Sequence, residues 1–133
     1  RIRQEIEAAE KMTSGEIRVS VAPLFWGNVR REAERAFDRL GMRNTRDRNG
    51  VLIFIVPSRR SFAILGDEGI DRSVGQTFWD NLAKILTQSF KSEDFTLGLI
   101  QCIQAIGEQL ATAFPHAGAG DLNELPNDVD FGH

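Results

Sequence analysis

From residue 51 to residue 56 the chain reads VLIFIV without a polar interruption, bounded by Asn49-Gly50 and by Pro57. A short apolar run rich in β-branched residues between turn formers is the pattern of a strand buried on both faces. Residues 61–65, SFAIL, predict a second, shorter strand, and Pro57-Ser58-Arg59-Arg60 the hairpin turn between the two. Earlier, in EIRVSVA at 16–22, Ile17, Val19 and Val21 alternate with Arg18 and Ser20. That period predicts a strand with one wetter face, ended by Pro23.

The rest of the apolar pattern is helical. Ile2, Ile6 and Ala9 recur among charged neighbours, which predicts an amphipathic helix over 2–12, stopped by Thr13-Ser14-Gly15. Asn28 is the expected N-cap of a helix whose buried stripe is Val29, Ala33, Ala36, Phe37 and Leu40, with Gly41 as its stop. Ser73 and Gln76 have capping-box spacing, and Val74, Phe78, Leu82, Ile85 or Leu86, and Phe90 then give an apolar face to about residue 90. Lys91-Ser92-Glu93-Asp94 is the break. Leu99, Cys102, Ile103, Ile106, Leu110 and Phe114 line a long last helix that Pro115 terminates. Glycine, Asp121, Asn123, Pro126 and Asn127 mark 116–133 as an irregular tail, with Leu125, Val129 and Phe131 as its anchors to the body.

A strand, a helix and a strand in succession form a βαβ unit with parallel strands, and the hairpin adds an antiparallel third. The expected fold is therefore α/β, a short mixed sheet flanked by helices, built as one domain over 1–115 followed by the tail. One end of this sheet collects two strand entrances and one strand exit. The entrances carry Ser14, Gly15 and Glu16, then Asp47, Arg48 and Asn49; the exit carries Asp67, Glu68 and Asp71. Oxygen-rich turns of this kind are what Ca²⁺ or Mg²⁺ prefers, because both take carboxylate and carbonyl oxygens from a backbone that can bend. Asp67 and Glu68 have an alternative reading as caps of the turn or of the following helix.

The opposite end holds Asn28 and the hairpin turn, and so brings Arg30, Arg31, Arg59 and Arg60 near a helix N-terminus, the ingredients of an anion site. Phe25 and Trp26 beside Arg30 read either as base-stacking rings or as core and surface plugs. The remaining central arginines interleave with Glu32, Glu34 and Asp38 at helical pair spacing and read as solvated ion pairs.

Composition narrows the classes. A hydrophobic fraction of 41% and a charged fraction of 26% suit one ordinary globular domain. A net charge of -3 argues against a surface built throughout for nucleic acid. One cysteine, Cys102, excludes an internal disulfide and a thiolate metal cage, and its apolar helical face makes it a core residue. No apolar run approaches the ~18 residues of a membrane span, so no membrane insertion is expected, and the cytoplasm is the expected compartment. Phosphate-loop, dinucleotide, zinc-protease and serine-elbow motifs are missing, and His116 and His133 lack a triad context.

Together, TSGEIRV at 13–19, RNGVLIFI at 48–55, FAILGDEGI at 62–70, FW at 78–79, DFTLGL at 94–99 and LPNDVDFG in the tail resemble the TPM domain family in its small stand-alone bacterial form. The resemblance covers nearly the whole chain and implies a three-layer α/β/α sandwich. Relatives include a thylakoid acid phosphatase, a photosystem repair factor and auxiliary proteins of acetylcholine receptors. It also implies divalent-cation binding, carried here by Asp67 and Glu68, with Asp47, Asp71 and Glu16 as helpers. The expectation is a Ca²⁺- or Mg²⁺-binding, non-enzymatic domain with a protein partner. A metal-dependent phosphatase and an anion or nucleic-acid module using the arginine end are the alternatives.

Overall fold

The computed structural model describes residues 1–92 and 94–116. Helix α1 (Ile2–Glu10) leads into strand β1 (Glu16–Val21), helix α2 (Val29–Arg39) and strand β2 (Gly50–Val56). A single 3-10 turn (Pro57–Arg59) connects β2 to β3 (Ser61–Gly66), and α3 (Glu68–Val74), α4 (Gln76–Lys91) and α5 (Phe95–Ala113) complete the chain. Strand order is β1-β2-β3, with β1 parallel and β3 antiparallel to the central β2. Glu16 faces Gly50 and Val51 faces Gly66, so both strand entrances and the strand exit do meet at one end. The anchors expected in the tail lie outside the described residues.

Every residue of β2 is buried because helices cover both faces of the sheet. Val51, Ile53 and Ile55 join Ile17 and Val19 under α1, α4 and α5 through Ile6, Leu82, Leu86, Leu99, Ile103, Ile106 and Leu110. Leu52, Phe54 and Val56 join Ala63 and Leu65 under α2 through Ala33, Ala36 and Phe37. The result is the α/β/α sandwich. Among the described residues no helix is long and apolar enough to cross a membrane.

Three local expectations are corrected. The wetter face of β1 is not wet, since Arg18 and Ser20 are 2% and 0% exposed. Periodicity reports polarity, and a polar side chain that finds partners can be buried as deeply as an apolar one. Ser73 does not cap a helix; it lies inside α3, where its hydroxyl donates to the Gly69 carbonyl at 3.3 Å. The expected helix starts instead after Gly75, which has φ 77°, a left-handed conformation that favours glycine, and runs as α4, while the separate short helix α3 before it was not expected. Asn28 does cap α2 through the Arg31 N–H, and Asp94 caps α5 through the Leu97 N–H.

Candidate functional site

Arg48 is one of the described non-glycine residues in the left-handed region, with φ 51°, a conformation that costs about 1 kcal/mol or more. It aims the residue in two useful directions. The Arg48 carbonyl accepts the Gly69 N–H at 2.8 Å, locking the entrance of β2 against the first turn of α3. The guanidinium clamps Asp67 with two parallel bonds, Nε to Oδ2 at 2.7 Å and Nη2 to Oδ1 at 3.0 Å. Gly69 is required by the same contact, because a Cβ there would lie 2.2 Å from the Asp47 carbonyl oxygen and 2.7 Å from that of Arg48.

Asp67 is therefore a hub. Its side chain is 2% exposed, it is the N-cap of α3 through the Glu68 N–H at 2.8 Å, and Arg43 stands 4.0 Å away. The capping role weighed for Asp67 in the sequence is observed. Glu68 is exposed and lies 3.5 Å from Arg48 and 3.7 Å from Arg72. Asp71 accepts the indole N–H of Trp79 at 2.8 Å. Asp47 accepts the Ser14 hydroxyl at 3.3 Å, and the Asn49 amide donates to that same hydroxyl at 3.2 Å. The other side-chain atom of Asn49, Oδ1, is buried without a hydrogen-bond partner. Four expected site residues, Asp47, Asp67, Glu68 and Asp71, thus share the sheet end, in a setting where arginine already answers Asp67.

Glu16 is placed differently. It is 2% exposed at the start of the edge strand β1, beside Glu10. Glu10, the last residue of α1, uses Oε2 to accept the Ile17 N–H at 2.7 Å and so satisfies a donor of that strand. Its carboxyl is pushed up to about 8, first by burial and further by the charge and hydrogen bond of Glu16, while the Ile17 N–H and the charge of Arg18 pull the other way. This buried carboxyl pair was not singled out in the sequence. Its one legible sign is a glutamate in the last turn of a helix, where the dipole disfavours negative charge.

The donors at the Asp67 end suit a hard cation in kind: carboxylates, a hydroxyl, backbone carbonyls and the unanswered Asn49 oxygen. In arrangement they are spread, and among the described residues no group of three or more His, Cys, Asp or Glu side chains is gathered to hold a metal ion. At the opposite end Arg59 Nη1 donates to the Phe25 carbonyl at 3.2 Å and to the Gly27 carbonyl at 2.5 Å, tying the hairpin to the loop between β1 and α2.

A mixed three-stranded sheet between helical layers, with a capped acidic strand exit, defines the class of domain. The TPM domain profile matches residues 1–109, and the chain belongs to that family. No curated protein matches. Among solved structures the chain is similar to the NMR structure of BA42 protein from the psychrophilic bacterium Bizionia argentinensis, with 39% identity and a TM-score of 0.88. That match covers 98% of this chain and 90% of BA42.

Proposed function

We propose that this TPM domain is a non-catalytic, divalent-cation-binding module that takes Ca²⁺ or Mg²⁺ at the sheet end formed by Asp47, Asp67, Glu68 and Asp71. The ion then tunes stability or the docking of a protein partner. The observation that supports it most is the buried Asn49 Oδ1 without a partner, on a side chain whose Nδ2 donates to Ser14, which in turn donates to Asp47, where the strand ends meet. An unanswered buried acceptor is costly, and a cation answers it. Because Arg48 holds Asp67 in a bidentate pair, the ion either uses the outer carboxylates and Asn49 alone or displaces the guanidinium. Ca²⁺ suits this spread set better than Mg²⁺, since it accepts irregular coordination whereas Mg²⁺ demands an octahedron.

An ion that binds only the folded state raises stability by mass action, by about 2.7 kcal/mol at a hundredfold excess over Kd. Thermal melts with Ca²⁺ or Mg²⁺, at matched ionic strength, should therefore shift upward, and Asp67→Asn with Glu68→Gln should abolish the shift. Identical melts at millimolar metal defeat the proposal. The phosphatase alternative needs a cationic clamp for its substrate, and Arg48, a cation at this end, is engaged by Asp67. Metal-dependent hydrolysis of a phosphomonoester, lost in Asp67→Asn, would replace the non-catalytic reading.

A further inference from the structure

Among the described residues, the two most exposed large hydrophobic side chains, Leu24 at 73% and Trp26 at 83%, sit two positions apart on the loop between β1 and α2. Phe25 between them turns inward, packs against the α2 side of the core and lays its ring over Gly27. The loop is thus rooted by one aromatic ring while presenting an aliphatic and an indole side chain to solvent. Arg59 fixes its height through the two carbonyl bonds described above.

Charge surrounds these two side chains. Arg30 and Arg31 open α2 beside the loop, and Arg59 and Arg60 form the adjoining hairpin turn; all four are exposed. Among the described residues, no carboxylate pairs with Arg30, Arg31 or Arg60. The chain as a whole carries a net charge of -3, and Asp47, Asp67, Glu68 and Asp71 lie at the other end of the sheet. The two ends of the sheet therefore differ: one sets exposed arginines beside apolar side chains, the other sets carboxylates among Arg43, Arg48 and Arg72.

We infer that this tip docks on an anionic lipid surface. Indole and aliphatic side chains on a projecting loop seat at the boundary between headgroups and acyl chains, while flanking arginines are drawn to acidic headgroups. A nucleic-acid surface would use the same arginines and the indole, but it gives Leu24 no role; an aliphatic side chain beside the ring favours lipid.

The test is co-sedimentation of the full chain with phosphatidylcholine vesicles and with vesicles enriched in phosphatidylserine, at low and physiological salt. Tryptophan emission is followed in parallel. The inference expects binding to the anionic vesicles, weakened by salt, with a blue shift that disappears in Trp26→Phe. Arg31→Glu with Arg60→Glu should lower partitioning by about tenfold or more. Leu24→Ser with Trp26→Ser should lower it comparably, and circular dichroism should show both double variants folded, because the four side chains lie outside the core. Failure to bind anionic vesicles at low salt overturns the inference, as does binding indifferent to Leu24 and Trp26. Tighter binding to a single-stranded oligonucleotide than to the vesicles would reassign the tip to nucleic acid.

Discussion

Glu10→Gln should remove an unusual pH dependence from this domain. In the folded protein the Glu10 carboxyl titrates at about 8, against an ordinary 4.5, because burial penalises its charged form. Below the ordinary value both the folded and the unfolded chain hold the proton, and the contribution of this group to stability is complete. Above it the unfolded chain releases the proton while the folded chain keeps it, so the contribution falls by about 1.36 kcal/mol for each pH unit until the folded group itself titrates. From about pH 5 to about pH 8 the loss reaches up to about 4 kcal/mol, or about 10 °C or more in Tm for a domain of this size. Glutamine preserves the shape and the acceptor for the Ile17 N–H, but it does not titrate. Urea denaturation of both proteins across that range, read by circular dichroism, gives a difference from which uncoupled groups cancel. The wild type should lose stability relative to the variant as pH rises. Parallel curves, or a wild type that gains on the variant toward alkaline pH, would refute the placement of Glu10 as a buried, protonated acid.

Other substitutions probe the remaining contacts. Asp67→Ala removes the N-cap of α3 and the acceptor of Arg48; the cap alone is worth about 1 kcal/mol, so denaturation should show a larger loss, and unchanged stability would mean the clamp is idle. Gly69→Ala forces a Cβ against the Asp47 and Arg48 carbonyls and should cost about 1–3 kcal/mol, with a Tm equal to wild type contradicting that close approach. Cys102 is fully buried and its thiol is pushed up to about 12 by burial, so a thiol reagent should label it only as the protein opens; rapid labelling of the native state would contradict its place in the core.

Much of the fold was legible because apolar spacing and turn residues pointed the same way. The run at 51–56 announced a strand covered on both faces, the Asn28 cap marked a helix start through a side chain that acts locally, and the polar break at 91–94 separated α4 from α5. The meeting of residues 14–16, 47–49 and 67–71 followed from strand order alone. What stayed hidden depended on contacts distant in sequence. Arg18 and Ser20 alternate like solvent-facing residues, yet tertiary packing buries them. Glu10 reads as one more acid on an amphipathic helix until the edge of β1 is laid beside it. The pairing of Arg48 with Asp67 needs a left-handed arginine backbone that no propensity suggests. Gly75, rather than Ser73, divides α3 from α4 because a positive φ outweighs a capping-box spacing.

The central claim is that the acidic sheet end takes a divalent cation, and titration of the ¹⁵N-labelled protein with Ca²⁺ and then Mg²⁺, followed by amide chemical shifts, tests it most directly. Saturable shifts are expected, centred on Asp47, Asn49, Asp67, Glu68, Gly69 and Asp71, together with a change at the Asn49 side-chain amide. Spectra unchanged at millimolar metal, or shifts centred elsewhere on the domain, would contradict it.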